Sequence, residues 1–186
     1  MKAGTDIELM LHVKDGNTGE LGILFERHHE RLLSFFMKMT GNRGASEDLV
    51  QETFVRMLRY RGSFRGDGGG FTPWMYRLGR NACTDHLRKV GRRRESDPGE
   101  NEPACDDPAP AESFEKAESI GLLRQALLRL APEKREVLVL SRYDLKKYEE
   151  IAAILECPVG TVKARVHRAL QELKKIYDGL LSGASA

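Results

Sequence analysis

The stretch YEEIAAILECPVGTVKARVHRALQEL, residues 148–173, decides the fold of the C-terminal part of this chain. Apolar residues recur in it at spacings of three and four, which predicts helices over 148–155 and 159–177. Glu156, Cys157 and Pro158 break the pattern, since proline cannot continue a helix. Two helices joined by so short a break form a helix-turn-helix.

The second of these helices has two opposite faces. Its apolar stripe consists of Val159, Val162, Val166, Leu170 and Leu173. The opposite face is centred on Ala164 and Arg168, with further polar residues around them, namely Thr161, Lys163, Arg165, His167 and Gln171. Such a face suits the major groove of DNA, where arginine reaches base edges or phosphates. The alternative is an antiparallel helical hairpin whose basic face is only solvated.

The composition is that of a soluble globular protein, because 40% of the 186 residues are hydrophobic and 31% are charged. This length suggests one or two domains. No apolar run approaches the roughly 20 residues of a membrane span. Lys2, Asp6 and Glu8 argue against a signal peptide. We therefore expect a cytoplasmic protein without membrane insertion.

The sequence contains no motif that is typical of a catalytic or metal site. Cys83, Cys105 and Cys157 are widely spaced and match neither a zinc site nor a disulfide framework. The glycines before residue 71 lack the Lys-Ser or Lys-Thr of a phosphate loop. We expect no metal, cofactor, small-molecule substrate or catalytic residue. A nuclease is an alternative that only Asp106 and Asp107 would support.

An acidic segment separates two basic ones. Residues 95–119 hold nine acids and one base, a net charge of −8, and four of the seven prolines. The rest of the chain holds 29 bases and 19 acids, a net charge of +10. The acidic segment has too few apolar side chains to fold alone. We predict domains at 1–94 and 117–180, a flexible acidic linker at 95–116 and a disordered tail at 181–186. The alternative to a linker is an ordinary surface loop. Two basic domains indicate a protein that binds nucleic acid.

The other periodic segments are also helical, so we expect an all-α fold. Further helices are predicted at about 6–14, 18–40, 45–60, 73–90, 117–130 and 133–142. Thr72-Pro73 and Pro132 mark two helix starts, because proline suits the first helical turn. Five glycines between residues 61 and 70 predict a loop.

The predicted helix at 45–60 has an exposed stripe opposite its apolar face. The apolar face consists of Leu49, Val50, Thr53, Phe54, Met57 and Leu58, and the exposed stripe of Asp48, Gln51, Glu52, Val55 and Arg59. A valine among acids and an amide is typical of a protein-binding surface. Single exposed apolar residues are also ordinary, so these residues alone leave both interpretations open.

The predicted helix at 73–90 has a basic outer stripe, made of Arg77, Arg80, Asn81, Thr84 and Arg88. Aromatic residues lie beside it in the sequence, namely Phe64, Phe71, Trp74 and Tyr76. Aromatic rings beside a basic groove can stack on single-stranded bases. The alternatives are that the stripe is only solvated and that Phe64, Phe71 and Trp74 belong to the core. For Trp74 we expect the core.

Together these segments resemble the extracytoplasmic-function (ECF) sigma factors of bacteria. Residues 48–54, DLVQETF, resemble the family's core-polymerase-binding helix. Residues 64–67, FRGD, and 74–81, WMYRLGRN, resemble the segment that melts and reads the −10 promoter element. Residues 148–154 and 157–163 resemble the helix-turn-helix that reads the −35 element. The motifs occur in the family's order over nearly the whole chain.

The resemblance implies a stress-responsive transcription initiation factor that is not an enzyme. Its partners would be core RNA polymerase, promoter DNA and an anti-sigma factor that clamps both domains. The polymerase contacts, on the clamp helices of the β′ subunit, would be Asp48, Gln51, Glu52 and Val55. The −10 contacts would be Phe64, Trp74, Arg77, Arg80, Asn81, Thr84 and Arg88, with Asn81 on a flipped-out base. The −35 contacts would be Thr161, Lys163, Ala164, Arg165, His167 and Arg168.

Two departures from the family pattern concern the turn of the helix-turn-helix and the start of its first helix. Glu156 stands where many relatives have glycine, so the turn is expected to form without an easy left-handed residue. Lys146 and Lys147 replace a more usual Leu-Ser, which predicts a different helix cap. A stand-alone DNA-binding regulator is the main alternative. It would share the helix-turn-helix but would have no use for the stripe at 48–52.

Overall fold

The computed structural model describes residues 4–66, 70–96 and 114–184. Within these ranges the chain forms eight α-helices and no strand, which confirms the all-α prediction. They are α1 (Asp6–Lys14), α2 (Leu21–Thr40), α3 (Arg43–Arg59), α4 (Phe71–Ser96), α5 (Phe114–Arg129), α6 (Pro132–Leu138), α7 (Tyr148–Leu155) and α8 (Val159–Ala184). Short 3₁₀ turns lie at Thr18–Glu20 and Arg61–Ser63, and a π-helical turn at Val139–Tyr143 follows α6. None of these helices combines the length and the apolar character needed to cross a membrane.

Two helices extend past the predicted domain limits. α4 continues to Ser96, and α8 continues to Ala184. The predicted disordered tail is therefore wrong for residues 181–184, while 185–186 lie outside the described residues. Residues 97–113, most of the predicted linker, also lie outside them, and 114–116 belong to α5. The domain limits themselves stay a prediction.

Local side-chain contacts set the ends of the first helices. At α1, the Thr5 hydroxyl accepts a hydrogen bond from the Glu8 N–H at 3.3 Å, and the Glu8 carboxylate accepts one from the Thr5 N–H at 2.7 Å. This reciprocal pair is a capping box. Gly41 ends α2 in the left-handed conformation, with φ at +70°. The Asn42 side chain then starts α3 by accepting the Ala45 N–H at 2.8 Å.

The N-terminal core lies between α2, α3 and α4. Phe35 and Phe36 of α2 are completely or almost completely buried there. Gly79 lets α4 approach this core, since a Cβ at that position would lie 3.1 Å from Phe36 Cζ and 3.2 Å from Thr53 Oγ1. α4 is thereby fixed with one face in the core and its basic stripe outside.

The C-terminal core lies between α5, α6, α7 and α8. Ile151 of α7 and Val162 of α8 are both 0% exposed. The apolar stripe predicted for α8 thus packs against the buried face of α7. Burying each such side chain contributes about 2 kcal/mol, which holds α8 with its polar face outward.

The two halves of the protein, α1–α4 and α5–α8, are in contact through the buried guanidinium of Arg135, in α6. It donates hydrogen bonds to the carbonyl oxygens of Met39, Leu127, Leu128 and Leu130. These carbonyls lie at the C-terminal ends of α2 and α5, where a helix leaves its last carbonyls unpaired. One cation therefore satisfies helix ends from both halves.

Candidate nucleic-acid and polymerase interfaces

α8 presents a basic face to solvent because its opposite face is packed in the core. Val162, Val166 and Ala169 are at most 2% exposed. Among the residues predicted to contact DNA, Thr161 is half-buried and the others are exposed, namely Lys163, Ala164, Arg165, His167 and Arg168. The positive side chains thus surround a small residue on one side of a rigid helix. That geometry fits the roughly 12 Å width of a major groove.

The turn between α7 and α8 depends on Glu156. This residue itself adopts the left-handed conformation, with φ at +52° and ψ at +46°. The turn therefore forms without glycine, although the left-handed conformation costs a non-glycine residue about 1–2 kcal/mol. The Cys157 N–H then donates to the Ala152 carbonyl at 3.1 Å and closes the end of α7.

The start of α7 has one half of a capping box. The Glu150 carboxylate accepts the N–H of Lys147 at 2.9 Å. A lysine side chain has no acceptor, so it cannot return the second hydrogen bond that serine or threonine would supply. The cap is therefore different from the serine type, as predicted.

The predicted stripe of α3 is exposed. Asp48 and Gln51 face solvent, and Val55 is 48% exposed although it is apolar. Glu52 accepts a hydrogen bond from Arg56 Nε at 2.7 Å, and Arg56 Nη2 also reaches Asp85 of α4 at 3.1 Å. Glu52 is thus held in place by an arginine that ties α3 to α4.

The basic stripe of α4 is divided into a free and a covered part. Asn81, Thr84 and Arg88 are exposed. Arg77 Nη1 instead lies 3.1 Å from the Glu156 carboxylate, and Arg80 Nε lies 2.9 Å from the Glu136 carboxylate. Burial raises the pKa of Glu136, and the charge and hydrogen bond of Arg80 oppose that rise. The two arginines are therefore occupied by acids of the C-terminal half.

The aromatic residues before and within α4 belong to the core. Phe64, Phe71 and Trp74 are at most 7% exposed. The Phe64 and Trp74 rings contact each other edge to face, with centroids 5.0 Å apart. In this conformation Phe64 and Trp74 cannot stack on bases, so the structure favours the core alternative for both.

Tyr76 is also buried, and its hydroxyl donates to the Asp144 carboxylate at 2.8 Å. Burial raises the pKa of Tyr76, and the neighbouring charge of Asp144 raises it further. The hydroxyl therefore stays protonated and able to donate. The Lys146 ammonium lies 4.2 Å from the centre of the Tyr76 ring, a cation–π contact from the same loop.

Glu136 and Asp144 were not predicted from the sequence, although both contact α4. A signal for Glu136 was present, since it directly precedes the apolar run 137–140 and a carboxylate beside a buried run requires a partner. The identity of that partner has no local signal, because Arg80 lies 56 residues away.

These observations define a helical protein whose C-terminal half contains a helix-turn-helix with a solvent-facing basic helix. The sigma-70 region 2 family matches residues 24–93, and the sigma-70 region 4 family matches residues 120–173. The ECF RNA polymerase sigma-E factor of Escherichia coli is 33% identical, with 95% of this chain and 96% of that protein covered. The RNA polymerase sigma-H factor of Pseudomonas aeruginosa is 28% identical, with 96% and 97% covered.

A solved structure supports the same relationship. The sigma factor RpoE from Bartonella quintana, in complex with the anti-sigma factor NepR, superposes with a TM-score of 0.64 at 29% identity. The match covers 80% of this chain and 91% of that one. The chain belongs to the ECF sigma factors. It is a transcription initiation factor without enzymatic activity of its own, and its partners are core RNA polymerase and promoter DNA.

Proposed function

We propose that this sigma factor reads a promoter with two helices, α8 on duplex −35 DNA and α4 on the melted −10 strand. The observation that carries the proposal is the basic face of α8, which faces solvent while its apolar face is buried. A helix held in this way can enter a groove without any change in its own packing.

On α8, the long side chains of Lys163, Arg165 and Arg168 reach phosphates or base edges. Ala164 lies between them and lets the helix backbone approach the bases. Thr161 and His167 complete the surface at its edges. Arginine is the side chain suited to guanine, since it can donate two hydrogen bonds to one base.

On α4, the exposed Asn81, Thr84 and Arg88 contact the melted −10 strand, and Asn81 contacts a base that leaves the stack. Arg77 and Arg80 join this surface when their ion pairs with the C-terminal half are broken. Phe64 and Trp74 act by holding the loop and the start of α4 in place. Because both side chains are buried, a structural role is favoured over direct stacking on bases.

On α3, the stripe formed by Asp48, Gln51, Glu52 and Val55 binds the clamp helices of the polymerase. An exposed apolar side chain with polar neighbours supports a protein interface here. A stand-alone regulator would need no such surface. The factor acts where the polymerase is, in the cytoplasm.

We also propose that an anti-sigma factor controls this protein. The support is the Bartonella quintana RpoE structure, which holds an anti-sigma factor. A stress-responsive role follows from such control, because release of the factor would switch transcription on.

The test is run-off transcription with purified core polymerase on genomic promoter DNA, with and without this protein. Start sites that need the protein are expected, and the DNA upstream of them identifies both promoter elements. Absence of new starts together with failure to co-migrate with core polymerase would favour the stand-alone regulator.

The role of α8 is tested by Arg168→Ala on a promoter found in that experiment. We expect affinity for −35 duplex DNA to fall by about 1–3 kcal/mol, measured by fluorescence anisotropy over a range of salt. A base contact would relax specificity at one position, whereas a phosphate contact would lower the salt slope by about one. Arg129→Ala is the matched control, since Arg129 is exposed on α5. Equal affinities of the two variants would contradict the assignment of α8.

A further inference from the structure

Three side chains in the first half of α4 contact acidic groups of the C-terminal half. The donor–acceptor pairs are Tyr76 Oη to Asp144 at 2.8 Å, Arg77 Nη1 to Glu156 at 3.1 Å and Arg80 Nε to Glu136 at 2.9 Å. The three acids come from α6, from the loop before α7 and from the turn after it. The contact is therefore a surface and not a single point.

This surface covers only part of the basic stripe. The side chains of Arg77 and Arg80 are 30% and 29% exposed. Asn81, Thr84 and Arg88, farther along or beside them on α4, face solvent. The covered arginines belong to the set that we assigned to the −10 strand.

The covering groups have the chemistry of a nucleic-acid backbone. Carboxylates and phosphates are both anions that accept charge-assisted hydrogen bonds from guanidinium N–H groups. The N–H groups that now donate to Glu136 and Glu156 are not available to a phosphate at the same time. α7 also packs directly against α4, so a strand would have to displace it to reach these arginines.

Glu156 shows a conflict between local geometry and this contact. Its φ of +52° lies in the region where glycine has no steric penalty. Glycine would end α7 with less strain, but only a longer acidic side chain reaches Arg77. Backbone strain of this kind persists where the surrounding structure or a function requires it.

We propose that the C-terminal half is an intramolecular competitor of the melted promoter strand, in which Glu136 and Glu156 occupy Arg80 and Arg77 until the two halves are held apart on core polymerase. The inference rests on the proposed function, because it takes α4 as the reader of the −10 element. The Glu156 side chain is 66% exposed, so its ion pair is weak and readily exchanged. Glu136 is 10% exposed and shields its pair with Arg80 from solvent.

The test removes both charges from the full-length chain. The probe is short, random-sequence, single-stranded DNA labelled with fluorescein, and binding is measured by anisotropy without polymerase. E136Q/E156Q is expected to bind the probe about fivefold more tightly than the unchanged protein, because the two anions that compete with the strand for Arg77 and Arg80 are removed.

The matched control is E133Q/E149Q. It removes two exposed acids, one from α6 and one from α7, and changes the net charge equally. It is expected to change binding less than about twofold, because only long-range charge is altered. Equal gains in E136Q/E156Q and in the control would overturn the proposal.

The variant E156G distinguishes release of Arg77 from local unfolding. Glycine removes the carboxylate and relieves the left-handed strain, so this variant should melt at the same or a higher temperature. It should nevertheless bind the probe more tightly. Tighter binding with a lower melting temperature would indicate local unfolding and would count against the proposal.

A third variant separates this proposal from the proposed function. Arg88→Ala is added to E136Q/E156Q and should weaken probe binding again if α4 holds the strand. If Arg88→Ala has no effect, the assignment of α4 to the −10 element is wrong. The proposal that the C-terminal half competes with the strand is then wrong as well. If Arg88→Ala weakens binding but E136Q/E156Q behaves as E133Q/E149Q does, only the proposed competition by the C-terminal half is wrong.

Discussion

Gly41 shows how one residue can serve both a helix end and the joint between the two halves. Its φ of +70° ends α2, and a Cβ there would lie 2.7 Å from Leu128 Cδ1 of α5. Any side chain at this position thus meets both a backbone penalty and a neighbour from the other half. Glycine is the residue without either cost.

Gly41→Ala is therefore expected to lower the free energy of unfolding by about 1–3 kcal/mol, through the left-handed φ and the displaced Leu128. Urea unfolding followed by circular dichroism measures the loss. Gly22→Ala is the control, because Gly22 is helical in α2 and a Cβ there would have no neighbour within 4 Å. That change should be neutral or stabilising by up to about 1 kcal/mol. Equal stability of the two variants would contradict the argument.

Asp6 is expected to make stability depend on pH. Its carboxylate lies 2.7 Å from both Arg27 Nη1 and His28 Nε2. Burial opposes ionisation, but the hydrogen bonds and charges of Arg27 and His28 outweigh it and lower the pKa of Asp6. The folded state therefore binds this proton more weakly than the unfolded chain, whose aspartate pKa is about 3.9. The stabilisation is complete above that pH and disappears as pH falls through the lowered pKa.

Asp6→Asn should accordingly lower the free energy of unfolding by about 1–3 kcal/mol near neutral pH. The difference from the unchanged protein should shrink under acid, below the pKa of Asp6. Asp15→Asn, at an exposed position after α1, is the control. A difference that stays constant down to the acid-unfolded state would show that Asp6 acts through something other than its charge.

At the scale of elements, α3 shows how one helix separates two tasks. Leu49, Phe54 and Met57 fill the core, while the stripe through Asp48 and Val55 stays outside. The core side of α3 fixes the direction of the stripe. A change on the outer side should then alter binding without altering the fold.

Val55→Glu is expected to weaken binding to core polymerase at least tenfold, because a charge would be buried in the proposed interface. Ile23→Glu places the same charge at another exposed apolar position, on α2, and should bind almost normally. Co-migration with core polymerase over a concentration series measures both. Unchanged thermal melting of each variant shows that the fold is kept. Equal binding by the two variants would contradict the proposed polymerase interface on α3.

At the scale of the whole molecule, Arg135 connects the two halves. Its guanidinium is the donor for carbonyls at the ends of α2 and α5. Burial lowers the pKa of Arg135, although a guanidinium keeps its charge under all ordinary conditions. The joint therefore depends on hydrogen bonds that cannot be replaced by packing alone.

Arg135→Met keeps much of the side-chain volume but leaves these carbonyls without a donor. We expect the free energy of unfolding to fall by about 2–4 kcal/mol, measured by urea unfolding. Arg129→Met, on the exposed side of α5, should change it by less than about 0.5 kcal/mol. A loss of similar size in both variants would mean that the joint does not depend on Arg135.

Much of the helical pattern could be predicted from the sequence. The helices at 6–14 and 148–155 have the predicted bounds, and the polar faces of α3 and α8 lie on the predicted sides. Caps, proline positions and spacings of three and four residues act over a few neighbouring residues. The information that sets them is therefore contained in the local sequence.

Contacts between distant segments could not be predicted in this way. Arg77 pairs with Glu156 79 residues away, and the burial of Phe64 depends on α1 and α4 closing around it. The sequence alone determined an all-α protein with a helix-turn-helix and a basic second helix, because local periodicity and capping decide these features. Only the tertiary structure decided which arginines are covered and which aromatic rings are core, because that depends on where the two halves meet.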